Sequence, residues 1–155
     1  MGRSFFFSFD SKKGELIEQC VFRCVSLFEG NGASTAISIH MAIDNLKNGG
    51  IRGVAFDDSS LLTCISNDYG YKHLFERVLE MFADEGDLWM AISSFGNSGN
   101  IPSTVRAART TQSSVVTFSR FKKSNPLKGM GGYNFYVDPP FNVSLPNRYN
   151  QSPKI

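Results

Sequence analysis

Two hydrophobic periods alternate along most of this chain. Short apolar runs bounded by glycine or polar residues predict buried strands, and stretches with apolar residues at every third or fourth position predict helices. The predicted strands cover residues 25–28, 52–56, 87–92, 115–118 and 133–137. The predicted helices cover residues 10–22, 34–48, 58–66, 71–83 and a segment that begins near Pro102.

Helices that separate successive strands imply crossover connections, and such connections join parallel strands. We therefore expect an α/β protein, a three-layer αβα sandwich with a parallel, doubly wound sheet. Residues 139–155 contain four prolines and no helical periodicity, so we expect an irregular tail there. The predicted organisation is one domain over residues 1–138, followed by that tail.

Composition narrows the class of protein. The chain has 155 residues, 41% of them apolar, which suits a single domain with one large core. A formal charge of +2 without clustered basic residues argues against a nucleic-acid partner. No apolar run has the length of a signal peptide or a membrane span, so we expect a cytoplasmic protein. The three cysteines form no CxxC pair, and we expect them to be buried rather than disulfide-bonded.

The segment after the third predicted strand, 87–92, is rich in polar residues and glycine. It brings hydroxyls and an amide to the start of a helix, where free N–H groups and the helix dipole favour an anion. The residues concerned are Ser93, Ser94, Asn97 and Ser98, together with Gly96 and Gly99. No lysine lies in the loop, so a sugar phosphate fits better than a nucleoside triphosphate. A simple polar turn is an equally good interpretation of the loop alone.

A second glycine-rich loop, Gly-Asn-Gly-Ala-Ser at residues 30–34, follows the first predicted strand. Its serine suits the start of the helix 34–48, which should end at Gly49 and Gly50. In a parallel sheet both loops would lie at the carboxyl ends of the strands, where such folds bind ligands.

Four segments together resemble the sugar isomerase (SIS) family and, within it, the phosphoheptose isomerases. They are Gly-Asn-Gly-Ala-Ser at 30–34 with His40 beyond it, Asp-Ser-Ser-Leu-Leu-Thr at 58–63, Asn-Asp-Tyr-Gly-Tyr at 67–71 and Ile-Ser-Ser-Phe-Gly-Asn-Ser at 92–98. Four segments in matching order over residues 25–137 are far more specific than one glycine-rich loop.

The resemblance implies a five-stranded parallel sheet and a homo-oligomer, usually a tetramer, with sites shared between subunits. It also implies aldose-ketose isomerisation of sedoheptulose 7-phosphate to D-glycero-D-manno-heptose 7-phosphate, for lipopolysaccharide synthesis. Carried over by position, Ser93, Ser94 and Ser98 would bind the phosphate, with Asn97 in the same loop. Asn31 and Ser34 would hold the substrate, and Asp68 would contact sugar hydroxyls.

The reaction implied by the family moves a proton between adjacent carbons, which needs a base and an acid on opposite sides of the bond. The family's glutamate base corresponds here to Asp44, one methylene shorter. His40 precedes Asp44 by one helical turn, and some family members use this pair as half of a zinc site. The alternative is a local His-Asp contact that faces a subunit interface.

The chain departs from the family at two further places. Phe95 stands where the phosphate loop usually has a small or polar residue, and residues 139–155 contain no histidine, whereas the family has its catalytic histidine near the C-terminus. Three interpretations follow: an isomerase, a non-catalytic SIS module that binds a sugar phosphate or regulates a partner, and a shortened or frame-altered isomerase. His73 matches no family position, and we expect it at the surface.

Overall fold

A five-stranded, wholly parallel sheet forms the centre of the computed structural model, which describes residues 24–138. Its strands are β1 (Ser26–Gly30), β2 (Gly53–Ala55), β3 (Leu88–Ser93), β4 (Ser114–Arg120) and β5 (Tyr133–Val137). The strand order is β2-β1-β3-β4-β5. The predicted α/β class and the parallel sheet are confirmed.

Four helices connect the strands. They are α1 (Ala33–Gly49), α2 (Ser59–Tyr69), α3 (Leu74–Phe82) and α4 (Asn100–Ala107), with short 3-10 turns at Tyr71–His73 and Pro126–Gly129. The predicted stop of α1 is confirmed, because Gly50 adopts a left-handed φ of 65° and its N–H bonds to the carbonyl of Asn45. Asp58 caps α2 by accepting a hydrogen bond from the N–H of Leu61 at 2.9 Å. Among residues 24–138, no helix is long and apolar enough to cross a membrane.

The two faces of the sheet are covered unequally. Leu27, Trp89 and Val115 point to one face and join the main core with buried residues of α2, α3 and α4. The opposite face carries α1 over β1 and β2, where a Cβ built on Gly53 would lie 2.7 Å from the carbonyl oxygen of Ala42. Helices thus flank both faces, as a doubly wound sheet requires.

Two local predictions were wrong. The helix α2 continues to Tyr69, whereas the Asn-Asp-Tyr-Gly sequence was expected to break it after Ser66. Asn67 and Asp68 are accommodated in its exposed last turn, with Asn67 Nδ2 donating to Asp68 Oδ1 at 2.9 Å, and only Gly70 needs a positive φ, of 80°. Cys64 is exposed on this helix, while Cys24 is buried as predicted. The predicted helix 10–22 and the predicted tail 139–155 lie outside the described residues.

The order of the strands brings the two predicted loops together. Because β1 and β3 are hydrogen-bonded neighbours, with Gly30 in register with Ile92, the loops that follow them start side by side. The helix α1 that follows β1 packs on one face of the sheet, and the helix α4 that follows β3 packs on the other. This divergence of successive connections opens the crevice in which parallel α/β sheets bind ligands.

The close approach of α1 to β2 should make Gly53 intolerant of a side chain. We expect Gly53→Ala to lower the free energy of unfolding by about 1–3 kcal/mol, because the added methyl group would meet backbone atoms that cannot rotate away. Gly129→Ala is the matched control, since a Cβ there meets no atom within 4 Å, and its effect should stay within about 0.5 kcal/mol. Urea unfolding of the two variants measures this, and equal effects would contradict it.

Candidate active site

Two asparagines join the loops that follow β1 and β3. Asn31 Nδ2 donates to Asn100 Oδ1 at 2.8 Å, and Asn100 Nδ2 donates back to Asn31 Oδ1 at 3.1 Å. Asn100 is the first residue of α4 and is almost fully buried. A reciprocal amide pair fixes both distance and orientation, so the two loops hold one relative position.

The 3-10 turn Tyr71–His73 adds a third wall to the site. Tyr71 Oη donates to Asn31 Oδ1 at 2.7 Å, which places this turn beside the first loop. His73 is half-exposed, and its Nδ1 lies 2.8 Å from Glu76 Oε2 in a hydrogen bond. Ser103 Oγ donates to the same carboxylate oxygen at 2.8 Å. These bonds lower the pKa of Glu76, the His73 contact most, so the carboxylate stays ionised and ties the turn to α4.

The loop after β3 is held by one hydrogen bond within the loop and by another from Asn125. Ser93 is buried, and its Oγ accepts a hydrogen bond from the N–H of Gly96 at 3.1 Å. Asn125 Nδ2 donates to the carbonyl of Ser94 at 2.9 Å. Gly96 has a φ of 67°, and a Cβ on it would overlap the side-chain oxygen of Asn125. Glycine is therefore required at the centre of this loop.

The predicted phosphate-binding residues of this loop do not have equal environments. Ser93 uses its hydroxyl to hold the loop, whereas Ser94 is half-buried and Asn97 and Ser98 are exposed at the start of α4. The ring of Phe95 stacks on Phe121, with centroids 4.8 Å apart. The aromatic residue that departs from the family pattern thus has an aromatic partner in the loop after β4.

The loop after β1 is shaped by the tight start of α1. A Cβ on Gly30 would lie 2.7 Å from the backbone carbon of Ser34, so only glycine permits the helix to begin this close to the strand. Ser34 is buried in the first turn of α1, three residues after Asn31. The structure therefore brings Asn31 and Ser34 together with the Ser93–Ser98 loop at one edge of the sheet, as the sequence predicted.

His40 and Asp44 lie on the outward face of α1. His40 Nε2 is 3.3 Å from Asp44 Oδ2, and the two side chains are 79% and 48% exposed. A zinc centre needs three or four protein ligands. Within residues 24–138, no group of three or more His, Cys, Asp or Glu side chains could hold a metal. The described residues therefore do not form a complete zinc site, and zinc binding by His40 and Asp44 remains a prediction.

Asp68 is exposed in the last turn of α2. Its carboxylate oxygens accept hydrogen bonds from Asn67 Nδ2 and, at 3.8 Å, from the Sγ of Cys64. Both partners belong to α2, so none of its hydrogen bonds reaches the two loops. Its predicted contact with sugar hydroxyls stays a prediction.

Sequence reasoning missed Glu29, the residue immediately before the first loop. Its side chain is fully buried between β1 and α4, and among residues 24–138 neither carboxylate oxygen has a hydrogen bond of good geometry. Loss of water raises its pKa well above the usual value, although the nearby Trp89 and Thr104 side chains oppose the shift. Burial thus disfavours the charged form of a carboxyl that lies next to loops predicted to hold an anion. An acidic residue inside the apolar strand 25–30 was the signal that could have revealed it.

Comparisons with known proteins agree with this geometry. The phosphoheptose isomerases of Serratia proteamaculans and Photorhabdus laumondii are 38% and 39% identical over 95 residues, which is 58% of this chain and 49% of each relative. The chain thus spans about half the length of the curated relatives it matches. No protein-family model matches the chain.

Solved structures show the same fold. The phosphoheptose isomerase of Neisseria gonorrhoeae superimposes with a TM-score of 0.70 and 28% identity, over 83% of this chain and 70% of that one. The enzyme of Francisella tularensis has a TM-score of 0.69 with 22% identity, over 83% and 72% of the two chains. The chain therefore shares the α/β fold of these solved phosphoheptose isomerases. Its sequence is also similar to those of the phosphoheptose isomerases, as its four sequence segments predicted.

The buried Glu29 should make stability fall as the pH rises. The folded chain keeps a proton on this carboxyl that the unfolded chain releases above about pH 4.3, so the free energy of unfolding falls as pH increases from there towards the raised folded pKa. Glu29→Gln should flatten this slope and raise Tm at pH 8, by about 2–4 °C for each kcal/mol recovered.

Thermal unfolding of wild type and Glu29→Gln between pH 4 and pH 8 measures this difference. Glu85→Gln, in an exposed turn, is the control and should follow wild type at every pH. A Glu29→Gln variant that tracks wild type across the range would show that this carboxyl is ionised in the folded protein.

Proposed function

We propose that the chain binds a sugar phosphate in the crevice between the loops after β1 and β3, and isomerises it. The proposed reaction is the aldose-ketose conversion of sedoheptulose 7-phosphate to D-glycero-D-manno-heptose 7-phosphate, in the cytoplasm, for lipopolysaccharide synthesis. The observation that carries the proposal is the Asn31–Asn100 pair, because it joins the two loops whose sequences resemble those of phosphoheptose isomerases. The names of the curated relatives support the choice of substrate.

The chemistry of the crevice supports phosphate binding. Ser94, Asn97 and Ser98 offer polar side chains beside the N-terminus of α4, whose first turn carries no acidic residue. The free N–H groups and positive dipole end of a helix favour an anion. Burial raises the pKa of Glu29 well above its usual value, which disfavours a negative charge beside this crevice.

Asp44 is the proposed base of the isomerisation. A carboxylate can take the proton from one carbon, and an acid on the other side of the bond completes the transfer through an enediol. His40, 3.3 Å from Asp44, would hold the carboxylate in place. Zinc binding by this pair also stays a proposal, because it needs ligands beyond these two side chains, and no step of the reaction is derived from it.

The outward face of α1 supports a homo-oligomer, a dimer or a tetramer. Ile37 and Ile43 flank His40 on this face and are 51% and 56% exposed, and Leu46 nearby is 58% exposed. Large apolar side chains clustered on one exposed helix face are typical of a protein interface. A second copy packed there would bury Asp44 and raise its basicity, which would complete a shared site.

A non-catalytic SIS module is the second candidate function. The exposure of both His40 and Asp44 favours it, since an acid-base group of an isomerase is normally shielded from water. Such a module would use the same crevice to bind a sugar phosphate but would not turn it over.

The binding proposal can be tested by thermal shift and calorimetry. Sedoheptulose 7-phosphate should stabilise the protein by about 2.7 kcal/mol at a hundredfold excess over its Kd, and unphosphorylated sedoheptulose should not. Ser98→Ala should weaken binding about tenfold, because it removes a hydrogen bond to a charged group. Ser114→Ala, at the amino end of β4, is the control. If sedoheptulose 7-phosphate neither stabilises nor binds the wild-type protein, the proposed function is overturned.

The catalytic proposal separates the two candidate functions. Asp44→Asn keeps the shape of the side chain but removes the base, so we expect turnover to fall about a hundredfold or more while the affinity changes less than about twofold. Coupled measurement of heptose 7-phosphate formation and of Kd on the same samples tests this. Binding by wild type without turnover would favour the non-catalytic module instead.

A further inference from the structure

We propose that Lys72 supplies the positive charge that binds the substrate phosphate, a charge that the loop after β3 lacks. This inference rests on the proposed function, since it concerns the same crevice and the same sugar phosphate. It adds a specificity-determining residue from the 3-10 turn Tyr71–His73, which lies outside both glycine-rich loops.

The loop after β3 has an unmet electrostatic requirement. Residues 93–99 contain no lysine or arginine, and the only basic residue of α4 is Arg106 in its last turn. A phosphate monoester carries about −1.5 to −2 charges at pH 7, whereas a helix N-terminus contributes about +0.5. Neutral hydroxyls and amides orient such an anion but leave most of its charge unbalanced.

The stem of Lys72 lies against the end of this loop. A Cβ built on Gly99 would be 3.8 Å from the Cγ of Lys72, which is van der Waals distance. Gly99 precedes Asn100, the first residue of α4, so this contact places the lysine at the helix N-terminus. Because Gly99 has no side chain, the space between it and the stem of Lys72 is not filled by a side chain of that residue.

The turn that carries Lys72 is anchored on both sides. Tyr71, before it, donates its hydroxyl to Asn31 at 2.7 Å. His73, after it, bonds to Glu76, and the same carboxylate oxygen accepts from Ser103 of α4. The backbone of Lys72 is therefore held between the two loops, so little backbone freedom remains to be lost when the anion binds.

Among residues 24–138, no acidic side chain forms an ion pair with Lys72, so its charge can interact with a bound anion. Its side chain is exposed. The carboxylate of Glu76, four residues along the chain, already accepts hydrogen bonds from His73 and Ser103. A lysine at the mouth of an anion site with no acidic partner is suited to a phosphate.

Charge-removal variants test the inference. Lys72→Met keeps the apolar stem and should weaken the affinity for sedoheptulose 7-phosphate about tenfold, and Lys72→Arg should stay within about threefold of wild type. The affinity of wild type should fall between 50 mM and 300 mM salt, and that of Lys72→Met should fall less, because screening acts on the charge that was removed. Lys47→Met, in the last turn of α1, removes the same charge elsewhere and is the control.

Calorimetry with sedoheptulose 7-phosphate and with inorganic phosphate gives distinguishable outcomes. Wild-type binding with an unchanged Kd and salt dependence in Lys72→Met would overturn the role of Lys72 and leave the proposed function intact. Equal loss in Lys72→Met and Lys72→Arg would show that a positive charge at this position does not preserve the affinity, which also overturns the inference. No binding of either ligand by wild type would overturn the proposed function and this inference with it.

Discussion

The adjacency of β1 and β3 is the constraint on which the site depends. These strands are separated by three helices and an entire strand in sequence, yet they are hydrogen-bonded neighbours in the sheet. Their following helices pack on opposite faces, so the two loops diverge and leave a crevice. The Asn31–Asn100 pair then fixes the width of that crevice, because each amide both donates to and accepts from the other.

Close packing around this crevice explains its glycines. Gly30 allows α1 to begin against β1, and Gly96 allows Asn125 to bond to the backbone of the neighbouring loop. In both places a methyl group would meet atoms of another segment. The glycines therefore serve the approach of one chain segment to another, and they give the loops a defined shape before any ligand binds.

Two acidic residues near the crevice are in unusual environments. Burial raises the pKa of Glu29 well above its usual value, and the carboxylate of Glu76 is hydrogen-bonded to His73 and Ser103. Lys72 lies close to the loop with its charge unpaired among the described residues. Unlike the residues around the crevice, His40 and Asp44 lie on the outward face of α1. They share this face with Ile37 and Ile43, where a second copy of the chain is proposed to pack.

The amino-acid sequence by itself determined the class of fold and the resemblance to the phosphoheptose isomerases. Hydrophobic periodicity placed all five strands and the helices between them, because the burial of strands and helix faces is a local pattern, and four short motifs placed the chain near the phosphoheptose isomerases. The tertiary structure decided what depends on distant residues. It paired Asn31 with Asn100, buried Glu29 and placed Lys72 near Gly99. It also showed that the Ser93 hydroxyl accepts a hydrogen bond within its own loop. The sequence also misjudged the end of α2, because Asn67 and Asp68 favour turns in isolation, whereas only Gly70 adopts the backbone conformation that ends this helix.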